Sequence, residues 1–390
     1  MARPYEEETD IPHANMSLAP EPVGRSLYRR GAVRVPLLAT AAIALLAGVC
    51  AGFGRLGWEI PHVSALTELH GPLLICGLFG ILVCLERAVA LDRGWAYAAP
   101  ALAALGTISL LAGAPVPVAG GLYVLAAAVL VGGLLVIVML QPALFTGTLL
   151  FGALAWLAGN LLWVMGSPIA DVVGWWLAFL ILTIAAERLA LSRLRPPRRG
   201  SEALFLFALG ILLVGAQNGI MSKNGSTLFG IALLVTTAWL LRHDISLPSL
   251  RRTGQTRFVA LCMLLGYAWI GVAGVALIGL PPGASAFGYD IALHAILTGF
   301  VLSTVFGHAL LILPAIVRLR VRYAEILYAP LFLLQGAVAL RVASGLAEWG
   351  AGRAAGGVLT GVALASFALA VAVVSRRNWS FAKEASGPVC

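Results

Sequence analysis

Apolar runs recur along almost the whole of this 390-residue chain. Each is about 18–25 residues long, enough to cross the hydrocarbon core of a bilayer as a helix. Their approximate cores are residues 33–53, 69–91, 95–113, 117–140, 143–165, 169–191, 202–220, 226–241, 258–280, 288–317, 323–346 and 354–375. This pattern leaves few options. A backbone in lipid must satisfy its own N–H and C=O groups, so it spans as helices or as a closed barrel. Runs of this length are helical. The expected fold is all-α: a polytopic membrane helix bundle of about 12 transmembrane helices over residues 33–375.

The loops support this count. Of the 26 lysines and arginines, all but Arg55, Lys223, Arg341 and Arg353 fall on one side if the segments alternate in direction. Basic residues collect on the cytoplasmic side. The expectation is therefore a multi-pass protein of a bacterial inner (cytoplasmic) membrane with both termini in the cytoplasm. Residues 1–32 carry Glu6, Glu7, Glu8 and several prolines and lack a signal-peptide pattern, so they read as a disordered N-terminal tail. Residues 376–390 read as a C-terminal tail. Ala114-Pro115-Val116-Pro117, Gly166-Ser167-Pro168 and Pro281-Pro282-Gly283 mark tight outer turns. Charged residues make up only 11% of the chain, against roughly a quarter in soluble domains. The partner is thus the lipid bilayer. The net charge of +9 sets orientation and does not point to nucleic acid.

Cys50, Cys76, Cys84 and Cys262 lie within apolar runs and Cys390 ends the chain. With no CxxC or CxxCH, neither a zinc ribbon nor covalently attached haem is indicated. One internal echo exists. The second segment ends in Cys84-Leu85-Glu86-Arg87-Ala88, the sixth in Ala185-Ala186-Glu187-Arg188-Leu189, and the tenth in Ile312-Leu313-Pro314 before Arg318. A four-helix unit repeated three times is the architecture this would imply.

Ionisable side chains inside a membrane are costly and point to function. His13 and His243 fall in the tail and in a cytoplasmic loop, and His62 in the first outer loop. His70, His294 and His308 fall within spans. His70 and His294 stand near the outer ends of the second and tenth segments, which run in the same direction, so their rings share one depth. Each is open to two readings: a hydrogen bond to a neighbouring helix, or ligation. Two imidazoles facing each other are what axial ligation of a haem requires. His308 follows His294 by 14 residues, about 21 Å along an α-helix and about 40° around it. That puts His308 on one face with Asp290, His294, Thr298, Val301 and Val305, as a candidate second ligand. Gly77, Gly80 and Cys84 fall near the face of His70, and the glycines would leave room for a planar group.

Glu86-Arg87 and Glu187-Arg188 sit at cytoplasmic helix ends. Ion pairing that fixes those ends is one reading. A way in for protons or anions near His308 is the other. Glu59, Glu68 and Asp290 on the outer side are candidates for orienting histidine ring N–H groups.

Two resemblances rest on these residues. Ala292-Leu293-His294-Ala295 with Gly299, then Gly307-His308, together with the His70 helix, resemble the NnrS family. Those are bacterial membrane proteins of about twelve helices associated with haem, copper and nitric oxide stress. Where that family carries a His-x-His pair followed by Glu, this chain has Glu68-Leu69-His70. The helix count also resembles the catalytic subunit of haem–copper oxidases and nitric oxide reductases. That subunit holds a low-spin haem with one histidine on helix two and one on helix ten. His70, in His70-Gly71-Pro72-Leu73-Leu74-Ile75, and His294 match those places. The sixth and seventh segments contain no histidine. The copper ligands of that superfamily are therefore absent, which argues against oxygen or nitric oxide reduction by its usual mechanism.

The resemblances imply haem b held by His70 and His294, with His308 as a further ligand or gas-site residue. They imply copper as a second metal, and respiratory or denitrification components as partners. Whether there is turnover is left open. The competing expectations are a proton-coupled secondary transporter using Glu86, Glu187 and His308, and a cofactor-free assembly subunit.

Overall fold

A computed structural model describes residues 23–59, 64–192, 200–317 and 322–385. His13, His62, the arginines between 193 and 199, and Arg318 lie outside them. The described residues are helical and contain no strand. The crossing helices are α1 (Val23–Arg55), α2 (Ala65–Leu91), α3 (Ala98–Leu111), α4 (Val116–Leu140), α5 (Leu144–Val164) and α6 (Ile169–Ser192). They continue as α7 (Ser201–Gln217), α8 (Lys223–His243), α9 (Gly254–Gly279), α10 (Gly288–Pro314), α11 (Tyr328–Leu346) and α12 (Gly350–Ala385). Eleven of these are long and apolar enough to span a membrane, α3 together with the 3-10 turn Gly94–Tyr97 that leads into it, whereas α7 has only 17 residues, about 25 Å of helix. This is a multi-pass membrane protein.

Parity shows that α7 also crosses. The first turns of α6 and of α10 line one cavity, through Ile169 and Val173 on one helix and Asp290 and His294 on the other. The two helices therefore start at the same end of the bundle. Three helices separate them, so α7 must cross as α8 and α9 do, and twelve passes result. The same reasoning puts the start of α1 and the end of α12 at the opposite end. The helix α1 begins at Val23, ahead of the expected residue 33, and α12 continues to Ala385.

In lipid, helices associate by close packing and not by a hydrophobic drive between them. At the α8–α9 crossing, a Cβ on Gly230 would lie 2.7 Å from the Gly274 carbonyl oxygen, and one on Gly274 would lie 2.9 Å from that of Gly230. Only glycine admits that approach. The helix α6 is the centre of the bundle, with 78% of its apolar window buried, while α12 with 22% is at the rim. Polar side chains in the core pair across helices. Asn160 accepts from the Trp176 indole at 3.0 Å, and Tyr123 and Thr107 hydroxyls meet at 2.9 Å.

Two helices depart from α geometry at matching places. In α2 a π-helical stretch, Leu73–Phe79, follows His70, and in α10 another, Ala295–Leu302, follows His294. A π turn accommodates extra chain per turn, and each additional residue rotates everything beyond it by about 100°. Such turns favour functional sites. They also alter which residues share a face.

Candidate functional site

A cavity of about 370 Å³ opens where α1, α2, α6, α10, α11 and α12 meet. That lies within the roughly 300–1,000 Å³ of small-molecule and cofactor sites. Its walls are largely aliphatic and aromatic, including Leu45, Val49, Phe53, Leu74, Leu297 and Leu364. His70 reaches it from α2 and His294 from α10.

Both rings are fixed in the same way. His70 Nδ1 lies 2.7 Å from the Gly48 carbonyl oxygen, and His294 Nδ1 lies 2.8 Å from the Asp290 carbonyl oxygen. A carbonyl can only accept, so Nδ1 carries the proton and Nε2 keeps its lone pair. This is the tautomer in which metal-ligating histidines are held by their surroundings. The place of His70 depends on a glycine in the neighbouring helix: a Cβ on Gly52 would meet the His70 ring at 2.7 Å.

One end of the cavity is charged. Asp290 receives two hydrogen bonds from Arg341, at 3.0 and 2.7 Å, and its carboxylate lies 3.5 Å from Arg353 Nε and 3.4 Å from His294 Nδ1. Arg353 also lies over the Phe287 ring, 4.2 Å from its centroid. Arg55 lines the same space. With three arginines and one aspartate, the rim favours anionic groups. In the sequence these arginines stand out only as exceptions to the charge pattern. Three of the four exceptions line this cavity, and that was the available signal.

The other expected site residues assemble elsewhere. Glu86, Arg87, Glu187, Arg188 and His308 come together from α2, α6 and α10, at the opposite end of the bundle. Arg87 pairs with Glu86 and, at 3.0 Å, with Glu187. His308 Nδ1 lies 3.0 Å from the Thr304 carbonyl oxygen, and its Nε2 accepts from Arg188 at 2.5 Å, with Glu187 Oε2 at 3.9 Å. Both ring nitrogens of His308 are thereby engaged. Asp244, which accepts from Tyr267 at 2.6 Å, joins α8 and α9 by a further buried polar contact. Glu68 and Glu59 are exposed, and neither lines the cavity.

The expectation that His294 and His308 share one face does not hold. The cavity side of α10 runs through Asp290, His294, Thr298 and Leu302, without Val301 or Val305. From Leu302 to His308 is a six-residue stretch of regular helix, about 600° of rotation, which turns His308 about 120° away from the cavity. The π stretch carried the cavity face to Leu302. The glycines of α2 are also used otherwise. A Cβ on Gly77 would meet Ala44 and Thr107 at 3.1 and 3.2 Å, and one on Gly80 would meet Trp156 at 2.7 Å, so both serve helix packing. Cys84 borders a small separate gap toward α3 and α4.

The residues present suit a haem. Its iron takes two axial imidazoles, its macrocycle suits aliphatic and aromatic walls, and its carboxylates suit arginines. Copper fits less well, since it favours several clustered imidazole or sulfur ligands. Among the described residues no three His, Cys, Asp or Glu side chains are grouped to hold a metal ion.

No curated protein and no solved structure matches this chain. A family described as a domain of unknown function (DUF8744) matches residues 34–376, and the chain belongs to that family.

Proposed function

We infer that this is a haem-binding protein of the bacterial inner membrane, similar in function to the NnrS family, with His70 and His294 as axial ligands of one haem b. The observation that carries this reading is the pair of histidines in one apolar cavity, each with Nδ1 tied to a backbone carbonyl and Nε2 left free. Arg55, Arg341 and Arg353 would hold the haem carboxylates. Asp290 would keep Arg341 and Arg353 in position and orient His294. By the distribution of basic residues, the cavity faces the periplasm and both termini face the cytoplasm.

A bound haem supplies one-electron transfer, or gas binding where an axial position opens. A role in nitrosative stress or respiratory electron transfer follows, with respiratory or denitrification components as partners. The chain itself contributes ligation, orientation and exclusion of water. Absorption spectra of protein purified from haem-replete cells test the reading. The wild type is expected to show a low-spin spectrum. Single His70→Ala and His294→Ala variants are expected to lose the haem or convert it to a five-coordinate, gas-reactive form. Unchanged spectra in both variants would remove the proposed ligands.

A further inference from the structure

The cavity is amphipathic along the membrane normal. Arg55 ends α1 and Arg353 stands in the first turn of α12, so the charged rim lies where these helices reach the bilayer surface. Leu45 and Leu364 are the deepest cavity residues of the same two helices, ten and eleven residues from those arginines, about 15 Å further in. That is half of the roughly 30 Å hydrocarbon core, the depth of one leaflet. An amphiphile with acidic ends dissolved in that leaflet takes the same posture, its carboxylates among the headgroups and its apolar body below. Entry from water along the bundle axis would instead expose the apolar body to water and force it past Arg55, Arg353 and the Arg341–Asp290 pair.

The wall toward lipid is made by α1 and α12, rim helices with only 28% and 22% of their apolar windows buried. On one side α12 packs tightly: a Cβ on Gly356 would lie 3.0 Å from the Ala337 carbonyl oxygen of α11. Toward the other end of the bundle, Phe367 stacks on Phe306 of α10 with ring centroids 3.8 Å apart. Beside the cavity, α12 meets α1 differently, through side-chain tips seated on glycines. The Phe53 ring reaches 3.0 Å from the place of a Cβ on Gly361, and Leu56 Cδ1 reaches 2.5 Å from that of Gly357. Thr360 lines the cavity between these glycines, and its hydroxyl donates to Gly356 of its own helix and not to α1. Apolar contacts of this kind have no hydrophobic drive in a bilayer, because lipid tails replace them. Phe53 and Leu56 are half-buried, and rotamer changes of such side chains are fast. Turning them aside uncovers Gly357 and Gly361. Directly behind stands Arg341, whose Nη1 lies 3.1 Å from the place of the Gly357 Cβ.

We propose that the seam between α1 and α12 is a lateral portal, latched by Phe53 and Leu56, through which the cavity takes its ligand from the bilayer leaflet on that side. The ligand class is an apolar body, flat or slender enough to pass edge-on between two helices, with carboxylates at one end. It is haem if the reading above holds. The inference rests on that reading for the identity of the ligand and on the seam for the route.

The test uses full-length protein from haem-limited cells, reconstituted in proteoliposomes. Cys50 and Cys390 are replaced by alanine, the other three cysteines being fully buried, and Leu56→Cys and Gly357→Cys are introduced. Leu56 Cγ lies 3.9 Å from the place of a Gly357 Cβ, so a short, reducible bis-thiosulfonate cross-linker spans the pair and holds the seam shut. Haemin is dissolved in the bilayer, and growth of the low-spin spectrum is timed. Uptake is expected to slow at least tenfold in the cross-linked protein and to recover when the cross-link is cleaved before haemin is added. Equal rates in the two states overturn the portal. A second measurement needs no haem: a fatty acid carrying a diazirine in its chain is dissolved in the bilayer and photolysed, and its cross-links are mapped by mass spectrometry. Cross-links at the cavity residues Val49 and Leu364 are expected, competed by haemin and lost when the seam is cross-linked. Labelling there that ignores the cross-link, or none in either state, overturns the portal. Absence of a haem spectrum with seam-dependent labelling intact would remove the haem reading alone.

Discussion

The two ends of this bundle use similar residues to opposite effect. At the cavity end, His70 and His294 each spend one ring nitrogen on a backbone carbonyl and keep the other without a hydrogen bond, and both residues line the cavity. At the other end, His308 has the same kind of Nδ1 contact, to Thr304, but its Nε2 is occupied by Arg188. The charges differ likewise. Asp290 is outnumbered by Arg55, Arg341 and Arg353, leaving the cavity rim positive, whereas two carboxylates balance two arginines at the other end: Arg87 pairs with both Glu86 and Glu187, and Arg188 holds His308. A histidine inside a membrane is thus a candidate ligand only when its second nitrogen is unclaimed. Burial alone does not distinguish the cases.

The largest expected effect falls on the cavity rim. Arg341→Ala strips the buried Asp290 carboxylate of its two-point partner, and breaking a buried pair costs about 3–5 kcal/mol. A large drop in the thermal unfolding midpoint in detergent is expected, together with haem loss. An unchanged midpoint would mean that Arg353 alone suffices. Gly52→Val is expected to be milder for the fold, about 1–3 kcal/mol of overpacking, because its added atoms collide with a movable ring. It should nonetheless displace His70 and weaken haem retention. Gly77→Ala, directed at Ala44 and Thr107, should leave the haem in place, and the contrast is read from haem content per folded protein.

At the other end, His308→Ala leaves Arg188 without its one hydrogen bond and should cost about 1–3 kcal/mol. The haem spectrum should not change. Loss of haem in that variant would place His308 in the ligand set and break the contrast between the two ends. The smallest perturbation is a reporter fusion. Fusions after Arg93 and Arg257 are expected to read cytoplasmic, and those after Pro115, Lys223 and Gly283 periplasmic, in line with the twelve passes.

Much of the architecture was legible in the chain, because span length and loop charge are direct consequences of bilayer physics. The twelve passes follow from them, even for the 17-residue α7. The shared depth of His70 and His294 was legible for the same reason, since both sit near the start of parallel spans. What lay beyond that reading depended on register and on third partners. The π turns after His70 and His294 have no signature in residue type, so an ideal α-helical wheel misplaced His308 and Val301. The space beside His70 comes from Gly52 on another helix, which no periodicity within α2 could reveal. The echo between the second and sixth segments puts Glu86-Arg87 and Glu187-Arg188 at matching helix ends but does not bring them together. Their engagement of His308 required the tertiary fold.

The central claim is that two imidazoles, and not three, hold one haem in the cavity. Electron paramagnetic resonance of the oxidised, purified protein, with iron and haem quantified per chain, tests it most directly. The expected result is one haem iron per chain with a low-spin, bis-imidazole signal that persists in His308→Ala. Well-folded protein from haem-replete cells that contains no iron, or a signal that requires His308, would contradict it.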